Sequence, residues 1–426
     1  MKSRTLALIA AMTFLLALAV PVRLTAQDQE NKKEHRRYRV ADLGTLGGTF
    51  SQAFGINNKG SVVGWSFLTG DTTLHAFLWR KGLMTDLGTL GGSDSLPYSQ
   101  AFSVNERDEV GGFSETSVSD PLGENFCGDS LVCLPVFWRD GDMTALPTLG
   151  GNNGMAVSIN DRGQVAGVAE TGEKDSCPPH LVVKPAIWEN AEPRALPTAP
   201  FRDGFMGGNN NRGQVVGNVV NCNSSAGRAY LWEKNKVINM GTIGGLGLSP
   251  SSINNKGQAT GTYTTTAGID RGFLWQNGVA MDLGALPGDP VAHGNVINDR
   301  GQIAGQSCDQ SGFPHCSVFL WQNGVMTDLN TLVPRDSTLN MVDAGDINSR
   351  GEIVGLAIHK ITGAFLAFLA TPCDVEDADS EGCEDRAEGA TVVRGETNQR
   401  PNVVLPEIVR RLLQQRLRFG QFGVGR

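Results

Sequence analysis

The chain has 426 residues, and 44 acidic against 36 basic side chains leave it with a net charge of −8. That balance excludes nucleic acid or an anionic membrane held by bulk charge. The length suffices for one large domain with a substantial core.

Residues 1–26 read as a signal peptide. Lys2 and Arg4 form a short basic start, Leu6 to Val20 is almost wholly apolar, and Leu24-Thr25-Ala26 offers a small-residue cleavage site before Gln27. The apolar run is too short for a membrane span, so no transmembrane segment is expected after cleavage. Cleavage moves the net charge from −8 to −11, because Lys2, Arg4 and Arg23 leave with no acid. All eight cysteines follow the cleavage point, which fits an oxidising, extracellular or periplasmic setting. Residues 27–37 read as a linker.

From residue 38 to 371 the chain is repetitive. Asparagine is followed seven residues later by glycine at Asn57/Gly64, Asn105/Gly112, Asn160/Gly167, Asn210/Gly217, Asn254/Gly261, Asn298/Gly305 and Asn348/Gly355. Successive asparagines lie 48, 55, 50, 44, 44 and 50 residues apart, the period of a propeller blade. Within one repeat, Gln52–Ile56 is strand A, and Asn57-Asn58-Lys59-Gly60 is a type I turn ending on a left-handed glycine. Ser61-Val62-Val63 returns as strand B, ended by Gly64. His75 to Trp79 is strand C, Lys81-Gly82 a hairpin turn, and Leu83 to Leu90 strand D. The same hairpin turn recurs as Asp140-Gly141, Asn277-Gly278 and Asn323-Gly324. Gly64 and its six counterparts mark a close backbone approach. Tryptophan closes strand C at Trp79, Trp138, Trp188, Trp232, Trp275 and Trp321, one structural address that predicts inter-blade core.

The ends decide the closure. Arg39 to Leu46 contains Asp42-Leu43-Gly44-Thr45-Leu46, a D strand without its own A, B and C. The last C strand, Ala364 to Leu369, has no D strand after it. The expected fold is therefore all-β: a seven-bladed β-propeller of four-stranded antiparallel blades, closed by an N-terminal strand that completes the last blade.

These residues resemble a known family. His75-Ala76-Phe77-Leu78-Trp79, Asp86-Leu87-Gly88-Thr89-Leu90-Gly91-Gly92 and Ile56-Asn57-Asn58-Lys59-Gly60 are similar to the repeat of the bacterial HAF family of extracellular repeat proteins. The resemblance covers residues 38 to about 370 and implies a secreted location and a propeller-like fold, with no activity to transfer. The histidine of that motif stands only at His75, its counterparts being Leu134, Lys184, Arg228, Arg271, Ser317 and Gly363.

Cysteine positions predict bridges Cys127–Cys133, Cys308–Cys316, Cys373–Cys383 and, across neighbouring blades, Cys177–Cys222. The B–C loops vary most in length and carry six of the eight cysteines, so the face formed by B–C and D–A loops is where binding is expected. Loop-face candidates are Asp94, Asp203, Asp289, His293 and Asp343. On the opposite face the third turn residue is always basic (Lys59, Arg107, Arg162, Arg212, Lys256, Arg300, Arg350), a solvated ring or an anion site. No hydrolase elbow, zinc-helix or phosphate-loop motif is present.

Residues 372–403 read as an acidic, disordered linker. Asp377, Asp379, Glu381 and Glu388 fall at the first, third, fifth and twelfth places of a calcium-loop pattern, but no helix precedes them and a Cys373–Cys383 bridge distorts the loop. Residues 404–426 form an amphipathic helix and tail, Pro406 to Phe419 opposing leucines to arginines before Gly420. The expectation is a secreted, monomeric binding or interaction scaffold with an unknown protein or glycan partner, without cofactor or metal, and not an enzyme. One alternative is a carbohydrate-active propeller hydrolase or lyase using loop carboxylates. Another is a structural cell-envelope component.

Overall fold

A computed structural model of the chain describes residues 37–91, 98–127, 130–176, 180–222, 227–234, 236–373 and 383. The expected signal peptide, Asp94, Cys177, the calcium-loop positions Asp377, Asp379, Glu381 and Glu388, and the expected C-terminal helix fall outside the described residues. Among the described residues no helix is long and apolar enough to cross a membrane.

The described chain is a seven-bladed β-propeller. Blades 1 to 6 are antiparallel meanders over residues 47–86, 99–145, 150–195, 203–239, 246–282 and 291–328. Blade 7 takes strands A to C from Leu339–Ile347, Ile353–His359 and Phe365–Pro372, and its fourth strand is Tyr38–Asp42. That closing strand pairs antiparallel with strand C from Tyr38↔Pro372 to Asp42↔Phe368. Tyr38 is buried, donates its backbone N–H to Leu332 O and its hydroxyl to Gly351 O, and Leu43 N reaches Ala367 O. The N-terminal segment thus completes the sheet of the C-terminal one.

The recurring asparagine holds the blades to one another. Asn57 accepts the N–H of Lys59 and Ser61 at Oδ1, which shapes its own turn, and donates from Nδ2 to Asn105 O of the next blade. The same Nδ2 bond runs from Asn105 to Asn160, Asn210, Asn254, Asn298 and Asn348, and Asn348 closes the circle on Asn57 O at 3.1 Å. Aspartate has no donor for that bond and glutamine is too long to shape the turn.

The recurring glycine is explained by strand A. Each A strand carries a bulge just before its turn, between Ala53 and Gly55 in blade 1 and at the matching place in the others. The bulge drives a carbonyl into strand B, so a Cβ on Gly64 would stand 1.9 Å from Gln52 O. The hairpin turns take positive φ at both central residues, as at Asn277 (53°) and Gly278 (85°). The tryptophans lie between blades: Trp138, Trp188, Trp232 and Trp275 donate Nε1–H to Leu87, Pro147, Pro197 and Met240 carbonyls.

Strand D is shorter than the sequence reading, Leu83–Asp86 instead of Leu83 to Leu90. Asp86 Oδ1 accepts Gly88 N–H at 2.7 Å and Gly88 takes a φ of +70°, which turns the chain out of the sheet. The closing strand stops at Asp42 for the same reason, through Gly44 N–H. The Asp-x-Gly motif is therefore the exit turn of strand D.

Candidate functional site

Two structural uses come first, because they take residues out of contention. Three of the seven basic residues of the A–B turns are engaged: Arg107 bonds Glu109 and Asp161 O, Arg350 pairs with Glu352 at 2.5 Å, and Arg212 with Glu233 at 3.6 Å. The loop cysteines are bridged as Cys127–Cys133, Cys308–Cys316 and Cys373–Cys383, and Cys222 is disulfide-bonded to a partner outside the described residues.

The expected loop-face candidates are placed as follows. Asp203 opens strand A of blade 4 and its Oδ1 accepts Val183 N–H from blade 3. That is a recurring fastener: Ser51, Ser99 and Asn153 accept Ala367, Ala76 and Cys133 N–H in the same way. Asp343 is buried and accepts Gln52 Nε2 and Asn295 Nδ2 from the flanking blades. His293 meets Gln306 at Nδ1 and stands 3.5 Å from Asp270 Oδ2 through Nε2, and Asp289 closes a turn on Leu286 O. His75, the histidine of the repeat motif, pairs with Asp86 at 2.9 Å. Burial works to raise the Asp86 carboxyl, but the His75 and Gly88 bonds outweigh it and hold it low.

A different cluster forms on the same face between blades 2 and 3. Strand B of blade 3 (Val165–Lys174) carries Glu170, and strand A (Gly150–Ile159) carries Asn153. The B–C loop of blade 2 supplies Asp120 and Glu124, and that of blade 3 supplies His180. Glu170 Oε2 accepts the backbone N–H of Asn152 and Asn153 and the Asn153 amide, whose Nδ2 also reaches Asp120 Oδ2 at 2.8 Å. Asp120 Oδ1 in turn caps the loop by accepting Leu122 and Glu124 N–H. Glu124 Oε1 faces His180 Nδ1 at 3.1 Å and accepts Leu181 N–H at 3.0 Å.

Glu124 and Glu170 are 3% and 1% exposed, and they meet each other. Burial, then the charge and hydrogen bond of Glu124, push the Glu170 carboxyl up to about 8, against the pull of the Asn153 and Asn152 N–H groups. Glu170 therefore keeps its proton at neutral pH and can donate it in its contact with Glu124. A carboxyl raised in the folded state binds its proton more tightly than in the unfolded chain. Its stabilising contribution is full below the ordinary value of 4.5 and is lost as pH rises through about 8. Denaturant titrations across that window are expected to show a loss of up to about 5 kcal/mol that Glu170→Gln abolishes. Asp346, pushed up to about 6 by burial, adds a fall confined to lower pH, which that variant retains. A variant with the wild-type slope above pH 6 refutes the assignment.

The sequence carried a signal for this cluster. Three residues after the recurring glycine stand Phe67, Val220, Thr264, Cys308 and Ile358, but Glu115 and Glu170 in blades 2 and 3. Acids at a core-facing strand position in two adjacent repeats are the mark. Among the described residues no group of three His, Cys, Asp or Glu side chains is arranged to hold a metal ion.

No protein-family model matches the chain, and no curated protein matches it in sequence. Among solved structures it is similar to an oligogalacturonate lyase in complex with manganese, at 11% identity and a TM-score of 0.50, over 80% of this chain and 94% of that one. It is also similar to the β-propeller domain of the Trilobed protease from Pyrococcus furiosus, at 11% identity and a TM-score of 0.44, over 75% and 95%. A puromycin-hydrolyzing peptidase of Mycobacterium tuberculosis follows at 10% identity and a TM-score of 0.45, over 77% of this chain and 55% of that one. The chain spans about half the length of that peptidase. These likenesses concern the fold. They nevertheless correct one expectation: a chain without a catalytic motif was read as not an enzyme, yet it shares its fold with a lyase.

Proposed function

We propose that this protein is an extracellular or periplasmic propeller enzyme that cleaves carbohydrate, as a hydrolase or lyase, on its B–C/D–A loop face at blades 2 and 3. The observation that carries the reading is His180, 36% exposed on that face, whose Nδ1 stands 3.1 Å from the buried carboxyl of Glu124. Sugar cleavage by general acid/base work asks for that combination. The disulfides support an oxidising setting. Placement among HAF-type repeat proteins, which rests on the repeat residues, supports the same setting. The oligogalacturonate lyase adds a carbohydrate substrate on a propeller of this kind. These points favour the enzyme over the binding scaffold.

The test is product release. The purified protein is incubated with a panel of neutral and acidic polysaccharides, and new reducing ends are counted. Glu124→Gln, which removes the carboxyl behind His180, is expected to lower turnover by about 100-fold with the fold retained by circular dichroism. Full activity in that variant, or no release from any polysaccharide by the wild type, overturns the reading.

A further inference from the structure

Asn153 does more than its place in the fold requires. It is fully buried, and its Oδ1 accepts Cys133 N–H at 3.0 Å. Asp203, seven residues before the turn asparagine of blade 4 as Asn153 is in blade 3, fastens Val183 N–H in the same way. An aspartate therefore suffices for the fastener, and what asparagine adds is its NH₂ group. Because Oδ1 is committed to Cys133 N–H, the orientation of the amide is fixed, and both hydrogens are used. Nδ2 donates to Asp120 Oδ2 at 2.8 Å and to Glu170 Oε2 at 3.1 Å.

Glu170 Oε2 is crowded with donors. It also accepts the backbone N–H of Asn152 and Asn153, at 3.1 and 2.9 Å, so three N–H groups converge on one oxygen. An oxygen so engaged acts as an acceptor only, and a proton on this carboxyl belongs on Oε1. Glu124 has the complementary need. Its Oε1 accepts Leu181 N–H and faces His180 Nδ1, while no N–H or hydroxyl among the described residues reaches its buried Oε2. Glu170 is in hydrogen-bond contact with Glu124. A hydrogen on Glu170 Oε1 is the donor that Glu124 Oε2 lacks.

We infer that Asn153 is a positioning residue of this site: its amide decides which oxygen of Glu170 carries the proton, and that hydrogen in turn holds Glu124 behind His180. The proton placement stands on the hydrogen bonds alone, and its bearing on turnover rests on the carbohydrate-cleaving reading above. The groups that face Glu170 can be named. Strand A brings the N–H groups of Asn152 and Asn153, the loop of blade 2 brings Glu124, and Asp120 lies one amide away. On strand C its register partner is Val183, which is uncharged. The Asn153 donors favour the ionised form of Glu170, whereas burial and Glu124 favour the protonated one. Without the amide the protonated form gains.

The test is carbon-13 NMR of the glutamate side-chain carboxyls in the full protein, titrated across the neutral and alkaline range. A resonance with a midpoint of about 8, absent in Glu170→Gln, reports Glu170. Asn153→Asp keeps the fastener as Asp203 does, and Asn153→Ser removes the amide without adding a charge. In both, the midpoint is expected to rise, the proton being held about tenfold more tightly, with the circular dichroism spectrum retained. A residue that merely fastens strands leaves that midpoint where it is. The wild type offers a measurement that needs no variant to fold: one Nδ2 hydrogen of Asn153 is expected to shift with the Glu170 midpoint. An amide blind to that titration, or a midpoint unmoved in both variants, overturns the inference. On any polysaccharide that the wild type cleaves, Asn153→Ser is expected to lower kcat about 10-fold with KM within about threefold. Unchanged kcat beside a raised midpoint refutes the link from Asn153 to His180. Absence of cleavage by the wild type sinks the reading beneath, and the NMR arm still decides the proton placement.

Discussion

A protein shortened to begin after residue 43 is expected to melt about 7 °C below the intact chain. The segment lost pairs five residues with strand C of blade 7 and buries Tyr38. Burial of that side chain and of Leu43 beside it is worth about 2 kcal/mol each, and the opened sheet exposes a row of unpaired backbone groups. A total near 5 kcal/mol corresponds to a shift of about 7 °C in a domain of this size. The readouts are thermal melting by circular dichroism and the radius of gyration from solution scattering, which is expected to grow as blades 7 and 1 part. An unaltered melt shows that the ring does not depend on its closing strand.

Gly167→Ala is expected to cost at least about 3 kcal/mol in denaturant titrations, or to leave no folded protein. The added Cβ would stand 1.9 Å from Met155 O and 3.0 Å from Ala156 Cα. Both are backbone atoms of a strand fixed on its other side by the neighbouring blade, so no rotamer change relieves the contact. Gly284→Ala provides the comparison. Gly284 has a φ of +80° and nothing within 4 Å of its virtual Cβ, so it should lose only the backbone preference, about 1 kcal/mol. Equal losses at the two sites would show that close approach is not what selects glycine in strand B.

The contrast explains how much of the fold was legible in the sequence. The turn asparagine, the strand-B glycine and the strand-C tryptophan each answer a constraint repeated in every blade, so their period exposes architecture and closure alike. The ends of strand D were misjudged because Leu87 to Leu90 keeps an apolar pattern while Gly88 quietly bends the chain. The site was legible only as a face. Asp203 and Asp343 looked reactive as isolated carboxylates, and both hold inter-blade hydrogen bonds. Glu170 gains its character from burial and then from Glu124, 46 residues earlier and in another blade. His180 meets that same Glu124 from 56 residues further along the chain. Neither property is local in the chain, so periodicity could not supply it.

The position of the clasp has a mechanical consequence. Cys373 N–H bonds Arg37 O at 2.8 Å, directly beyond the Tyr38↔Pro372 rung, so the two strands of the clasp are entered and left at the same end. Tension applied between those points loads one rung at a time and peels the pair like a zipper, where a pull along the strands would load all rungs together. A body that resists heat through its whole circumference thus yields to force at a single place.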